Sequence, residues 1–315
     1  MRTLGTTGLS VSPVGLGLAA LGRPGYINLG HAGDVGDTDV EAMERHAHEV
    51  LDAAYEGRVR YFDAARSYGR AEAFLGSWLR RRGLSRDDVT VGSKWGYTYT
   101  ADWRVDVDEH EVKDLTVSTL RRQLGETRAL IGEHLALYQI HSATLESGVL
   151  DDAEVREELA RLREEGVRVG FTATGPRQAA TIERALEVGG FDAVQATWNV
   201  HERAATDALA AAHEAGLGVI VKEALANGRL TARGDADGRL TAAARERGTT
   251  PDALALAAVL AQPWVDVVLS GVATVDTLRS NLAALEVDAP AEEELAALEE
   301  PPEEYWERRS ELAWN

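Results

Sequence analysis

Four residues of this 315-residue chain could do acid–base chemistry together: Asp63, Tyr68, Lys94 and His141. Asp63 ends the apolar, aromatic run that starts at Val59, and Tyr68 follows five residues later with Gly69 behind it. That pattern is a buried strand delivering a carboxylate, then a turn delivering a phenol. Lys94 follows the strand-like run Val89 to Ser93, and His141 follows His134 to Ile140. A free tyrosine phenol ionises near pH ~10. An ammonium beside it favours the phenolate and lowers that value, while a carboxylate beside the lysine holds the ammonium in place. A neutral imidazole can donate a hydrogen bond to a carbonyl oxygen. The four groups could therefore protonate a carbonyl oxygen while hydride reaches its carbon, or run the reverse on an alcohol. Singly, each has an ordinary alternative: a capping Asp, a half-buried Tyr, a rim Lys, a satisfied His. The chemistry needs all four in one place.

Only a particular architecture puts them there. After a hairpin suggested by Thr6-Thr7-Gly8-Leu9, Val14 to Leu18 reads as a strand, and Arg23 to Asp37 as a Gly-rich loop without helical period. A helix begins at Thr38, and the strand ending at Asp63 follows. Alternation then continues through a helix from Glu72, the strand to Ser93, a helix from Val112 to Leu130, the strand to Ile140 and a helix from Asp151 to Glu165. Strands at 168–173, 192–198, 218–222 and 265–269 alternate with helices at 176–188, 203–215, 239–247, 251–261 and 275–285, with an irregular segment from Glu223 to Gly238. Eight strand–helix units predict a closed parallel (β/α)8 TIM barrel as a single domain over residues 1–315, with the N-terminal β-hairpin and a C-terminal tail as additions. The strand ends then converge on one mouth and make the four residues neighbours.

Composition bounds the partners. The net charge of −19 argues against nucleic acid and anionic membrane as partners. The absence of cysteine removes thiol catalysis, disulfides and Cys-ligated metals. No basic and apolar leader and no bilayer-length apolar run is present, so a cytoplasmic protein with a small-molecule substrate is the expectation, a homo-oligomer being compatible with it.

The motifs then resemble the aldo-keto reductase superfamily across nearly the whole chain. They are Gly5 to Ser12, YFDAARSYGRAEAFLG, VGSKWG, LYQIHS, VQATWN, ALANGRLT and SGVATVDTLRSNLAAL. The resemblance implies an NAD(P)-dependent oxidoreductase acting on an aldehyde, ketone or sugar, with Tyr68 as general acid/base, Asp63 and Lys94 tuning it, and His141 orienting the carbonyl. It implies a nicotinamide cofactor lying across the barrel mouth without a Rossmann domain. Gln195 and Thr172 would serve the carboxamide, Lys222 stands where an aromatic often stacks on the nicotinamide, and Leu225 and Arg233 would line the pyrophosphate. Ser270, Gly271, Thr274 and Asn281 would surround the adenosine, with Arg239 a candidate phosphate partner. The family habit implies NADP, with NAD also accepted. Departures lie at Ala173, at Lys222-Glu223-Ala224, and at Thr277 and Ser280, all on the cofactor side. A nicotinamide-sensing regulatory subunit with little turnover is the alternative implied by other members of the superfamily.

Two further patterns mislead. Gly15-x-Gly17-x-x-Ala20 matches a dinucleotide fingerprint, but a Gly, Pro and polar loop follows in place of a helix. His46-Ala47-His48 lies in a helical pattern, where residues i and i+2 diverge, so no metal site is expected. The aromatics Trp95, Tyr97, Tyr99 and Trp103 sit beside Lys94 in a segment, 96–111, long enough to be a substrate loop. Tyr305, Trp306 and Trp314 lie in the tail, which the resemblance implies closes over the barrel mouth.

Overall fold

The computed structural model describes residues 1–234 and 238–315. Eight parallel strands close a barrel in the order β3 (Val14–Gly17), β4 (Tyr61–Asp63), β5 (Thr90–Trp95), β8 (Leu135–Ala143), β9 (Arg168–Ala173), β10 (Ala193–Thr197), β11 (Gly218–Lys222) and β12 (Val267–Ser270), which pairs back onto β3. This is the expected (β/α)8 architecture. Strands β1 (Arg2–Thr3) and β2 (Ser10–Val11) form the expected hairpin. It carries Leu4 and Val11 onto the barrel floor against Tyr61, Leu137, Ile220 and Val267, so the bottom of the barrel is plugged with apolar side chains.

Helices α2 (Val40–Glu56), α3 (Ala71–Arg82), α4 (Val117–Ile131), α5 (Ala153–Glu164), α6 (Gln178–Val188), α7 (Thr206–Glu214), α8 (Arg239–Glu246), α9 (Pro251–Leu260) and α10 (Val275–Leu282) surround the strands. Helix α2 shows why. Asp39 caps it by accepting from Glu41 and Ala42 N–H, and Met43, Ala47, Val50, Leu51 and Ala54 bury one face. Each large apolar side chain so buried contributes about 1.5–3 kcal/mol.

Three sequence expectations change. The loop after β3 contains a short helix, α1 (His31–Val35), which its glycines disguised. The helix expected from Val112 starts at Val117, capped by Thr116. Residues before it form β7 (Glu111–Lys113), paired antiparallel to β6 (Tyr97–Tyr99). The tail after Pro290, for which no helix was expected, contains α11 (Glu292–Ala296) and α12 (Pro302–Ser310), and its last segment reaches back over the barrel mouth as expected. Residues 235–237 of the expected irregular segment lie outside the described residues. Among the described residues no helix is long and apolar enough to cross a membrane.

Candidate active site

Strand register brings the four residues together. Gly17 pairs with Asp63, Asp63 with Gly92, and Lys94 with Gln139. Gly92 is required there: a Cβ at this position would lie 2.5 Å from the Tyr61 hydroxyl and 3.3 Å from Asp63 Oδ1. The β8–β9 pairing shifts register between Ile140 and Ala143, and Ser142 takes a positive φ of 58°. This irregularity re-aims His141 into the mouth. Thr172 helps to hold it, its Oγ1 accepting from Ser142 N–H at 2.6 Å.

Lys94 and Asp63 form a buried ion pair at the floor of the site. Lys94 Nζ also donates to Ala64 O at 3.0 Å and to the Tyr68 hydroxyl at 3.4 Å. Gln195 donates to Asp63 Oδ2 at 3.1 Å. The His141 ring stands edge-on to Tyr68, 5.6 Å between centroids, and to Tyr97 at 5.0 Å. Burial, with Lys94 and Lys222 adding, holds His141 neutral far below its usual range, and among the described residues its Nδ1 has no partner.

Tyr68 differs from the sequence expectation. Burial first, then the Asp63 carboxylate, pushes its phenol well above the usual value, with Arg23 pulling the other way. The Lys94 ammonium is paired with Asp63, whose carboxylate opposes ionisation of the phenol. Before any ligand arrives the phenol keeps its proton, as a proton donor must.

One continuous cavity of about 720 Å³ opens above this floor. Asp63, Tyr68, His141, Gln195 and Lys222 line it near the four-residue cluster, and Leu225, Arg233, Gly271 and Asn281 line it further out. Lys222 Nζ donates to Thr197 Oγ1 at 2.7 Å. Burial, with Arg309 and Lys94 reinforcing it against Glu223, lowers its pKa to about 8. Glu223, at a positive φ of 54°, is gripped by a guanidinium fork from Arg309 of α12 at 2.6–3.0 Å. Burial alone would raise its carboxyl, but Arg309, then Lys222, bring it down to about 2.

The other expected cofactor residues divide. Ser270 is buried beneath Asn281, whose amide accepts from Ser270 Oγ at 2.9 Å and donates to Asp252 Oδ2 at 2.7 Å. Thr274 caps α10 by accepting from Thr277 N–H. Arg233 lines the cavity with its guanidinium forked onto Asp34 at 2.6 and 2.7 Å. Arg239 is a correction. It donates to Ala297 O and lines a separate small cavity with Leu254 and Leu298, because the turn of α8 aims it at α11. Arg279 points outward onto Asp276.

Sequence reasoning missed Arg23, Tyr26, His31, Glu111, Asp252 and Arg309, all of which line the cavity. They come from loops, helix faces and the short strand β7, with no period to mark them. Of the aromatics after Lys94, only Tyr97 lines the cavity. Trp95 is core, and Trp103 packs on Phe74 and donates to Thr38 O. The misleading patterns resolve as well. Gly15 and Gly17 are strand residues, and His46 and His48 bond the carbonyls of Ala273 and Phe74.

Comparison with known proteins shows the family and agrees with the fold. The model of the Aldo/keto reductase family matches residues 15–301. The NADH-specific methylglyoxal reductase of Escherichia coli is 26% identical over 90% of this chain and 93% of its own. L-galactose dehydrogenase of Arabidopsis thaliana is 27% identical over 90% and 88%. A holo-form aldo-keto reductase structure from Bacillus halodurans superposes with a TM-score of 0.73, at 22% identity, covering 99% and 96%.

Proposed function

Because the chain belongs to the aldo/keto reductase family, and is therefore an oxidoreductase of nicotinamide-dependent carbonyl chemistry, we propose that Tyr68 is its general acid/base. The observation that carries this reading is the Tyr68 hydroxyl, 3.4 Å from the Nζ of an ion-paired Lys94, on the cavity floor beside a neutral His141. His141 offers a ring N–H to the carbonyl oxygen and Tyr68 delivers the proton to it. Lys94, donating to the phenol, stabilises the phenolate left behind, and Asp63 keeps Lys94 in register. The bound nicotinamide supplies or takes the hydride.

The cavity fits such a cofactor. Its volume lies within the usual ligand-site range of roughly 300–1,000 Å³, and it runs without interruption from Tyr68 to the N-terminal turn of α10. Gln195 and Lys222 flank the reacting end. Leu225 and Arg233 border the middle. Gly271, where a Cβ would meet nothing within 4 Å, and Asn281 border the far end.

At that far end the geometry supports little selection for NADP over NAD. An additional phosphate calls for an available Arg or Lys, yet Arg233 is forked onto Asp34, Arg239 faces α11, and the carboxylate of Asp252 lines the wall. The reading is therefore a carbonyl reductase, or alcohol dehydrogenase, using both cofactors. The test follows nicotinamide absorbance with NADPH and NADH over a panel of aldehydes, ketones and sugars. Turnover with at least one carbonyl, lost in Tyr68→Phe, supports it. Tight cofactor binding without turnover of any carbonyl would favour the sensing alternative.

A further inference from the structure

Arg23 is 2% exposed, yet it lines the active-site cavity. It reaches Tyr68 because Gly22 packs hard against that turn: a Cβ on Gly22 would lie 2.1 Å from Tyr68 O. The guanidinium carbon sits 5.4 Å from the Tyr68 ring centroid, 5.1 Å from Tyr26 and 4.4 Å from Trp314. Its Nη1 donates to Ser67 O and to Glu111 Oε2, both at 2.9 Å. Among the described residues its Nε is buried without a partner, and neither its Nη2 nor Glu111 Oε1 makes a hydrogen bond.

A buried N–H left unpaired costs about 1–3 kcal/mol. In the lining of a ligand cavity, the Nη2 N–H groups can donate when a ligand brings an acceptor. Glu111 beside it offers an acceptor for a ligand donor. One group that is donor and acceptor at once meets both: a hydroxyl. The pair carries no net charge, so a second carboxylate would gain Arg23 only by facing Glu111. The flat rings of Tyr26 and Trp314 supply apolar walls for the carbon bearing the hydroxyl.

We infer that Arg23 and Glu111 form a substrate subsite beside Tyr68 that recognises a neutral hydroxyl on the carbon next to the reacting carbonyl. The inference rests on the carbonyl-reduction reading above and names the substrate class for it: α-hydroxy aldehydes and ketones, ahead of plain aldehydes and of 2-oxo acids.

Three two-carbon aldehydes differing only in the neighbouring group test it: glycolaldehyde (CH2OH), acetaldehyde (CH3) and glyoxylate (COO−). Ratios of kcat/KM are compared between wild type, Arg23→Met and Glu111→Gln, which cancels differences in aldehyde hydration. A site built to bond a hydroxyl rejects the analogue lacking it. The glycolaldehyde to acetaldehyde ratio should therefore exceed about tenfold in the wild type, fall about tenfold in Arg23→Met and fall severalfold in Glu111→Gln. Glu111→Gln frees the cation, so the glyoxylate to glycolaldehyde ratio should rise. Glu111 is only partly buried, so this variant keeps the test open should Arg23→Met unfold. Ratios that stay at wild-type values while absolute rates fall would make the pair a structural clamp and overturn the subsite. Turnover of none of the three aldehydes, by an enzyme that also ignores the wider carbonyl panel, would overturn the reductase reading and the subsite with it.

Discussion

At the scale of single residues, the site works through charges that cancel in pairs. Lys94 answers Asp63, Arg309 answers Glu223, and Arg23 answers Glu111. Burial is then free to dominate Tyr68 and His141, keeping one protonated and the other neutral. Tyr68→Phe removes the transferable proton and almost no volume. It should lower kcat by about 10²- to 10⁴-fold and leave the dissociation constant of the cofactor nearly unchanged, as steady-state rates and fluorescence titration would register. The proposed weak selection between cofactors is tested at Asp252, which lines the far end of the cavity. The wild-type dissociation constants for NADPH and NADH should lie within about tenfold of each other. Asp252→Asn should tighten NADPH relative to NADH by about five- to tenfold, since it removes one carboxylate from near the additional phosphate. An NADPH preference of thousands in the wild type would contradict this account of the far end of the cavity.

At the scale of elements, the mouth is assembled from pieces that are distant in sequence. Helix α12 reaches the end of β11 through Arg309, whose fork onto Glu223 ties the tail to the barrel, and through Trp306, whose ring lies against Lys222. The following segment continues across the mouth. Trp314 stacks on His110 at 3.9 Å and covers Arg23, and Asn315 bonds the backbone of Tyr26 and Asn28. Arg309→Met would leave the buried Glu223 carboxylate with Lys222 alone. Stability should fall by about 2–3 kcal/mol, less than for a fully buried pair because Arg309 is partly exposed. Urea unfolding at pH 7 measures that loss. Protection of tail amides from hydrogen exchange should drop before that of the barrel strands.

At the scale of the whole molecule, pH reports the buried histidines. Burial lowers the pKa of His31 to about 4, and that of His141 well below its usual range. Both must be neutral in the folded chain, whereas each ionises near ~6.5 when unfolded. The unfolded state therefore binds more protons below that value, so folding stability is intact above pH ~6.5 and is lost as pH falls. By pH ~5, His31 alone should cost about 2 kcal/mol. Urea midpoints measured between pH 7.5 and 5 should fall in the wild type and fall less steeply in His31→Asn. Equal slopes would mean that His31 is not buried neutral.

Much of this was legible in the chain itself. Short apolar runs that each end in a polar residue, alternating with helical periodicity, specify parallel strands whose C-terminal ends converge. That convergence made neighbours of Asp63, Tyr68, Lys94 and His141, since strand order alone dictates where strand-borne side chains meet. Gln195 and Lys222 came from the family resemblance, and they too stand on barrel strands, β10 and β11. Residues on loops and on helix faces have no such rule. Arg23 comes from a loop whose glycines concealed α1, and Arg309 from an acidic tail in which only the aromatic residues stood out. Asp252 comes from the first turn of α9. Arg239, by contrast, looked like a phosphate ligand until the turn of α8 aimed it at α11. The direction of the Tyr68 shift was also beyond the sequence. The spacing named its neighbours, but only packing decides how far water is excluded and whether a lysine is already paired with a carboxylate.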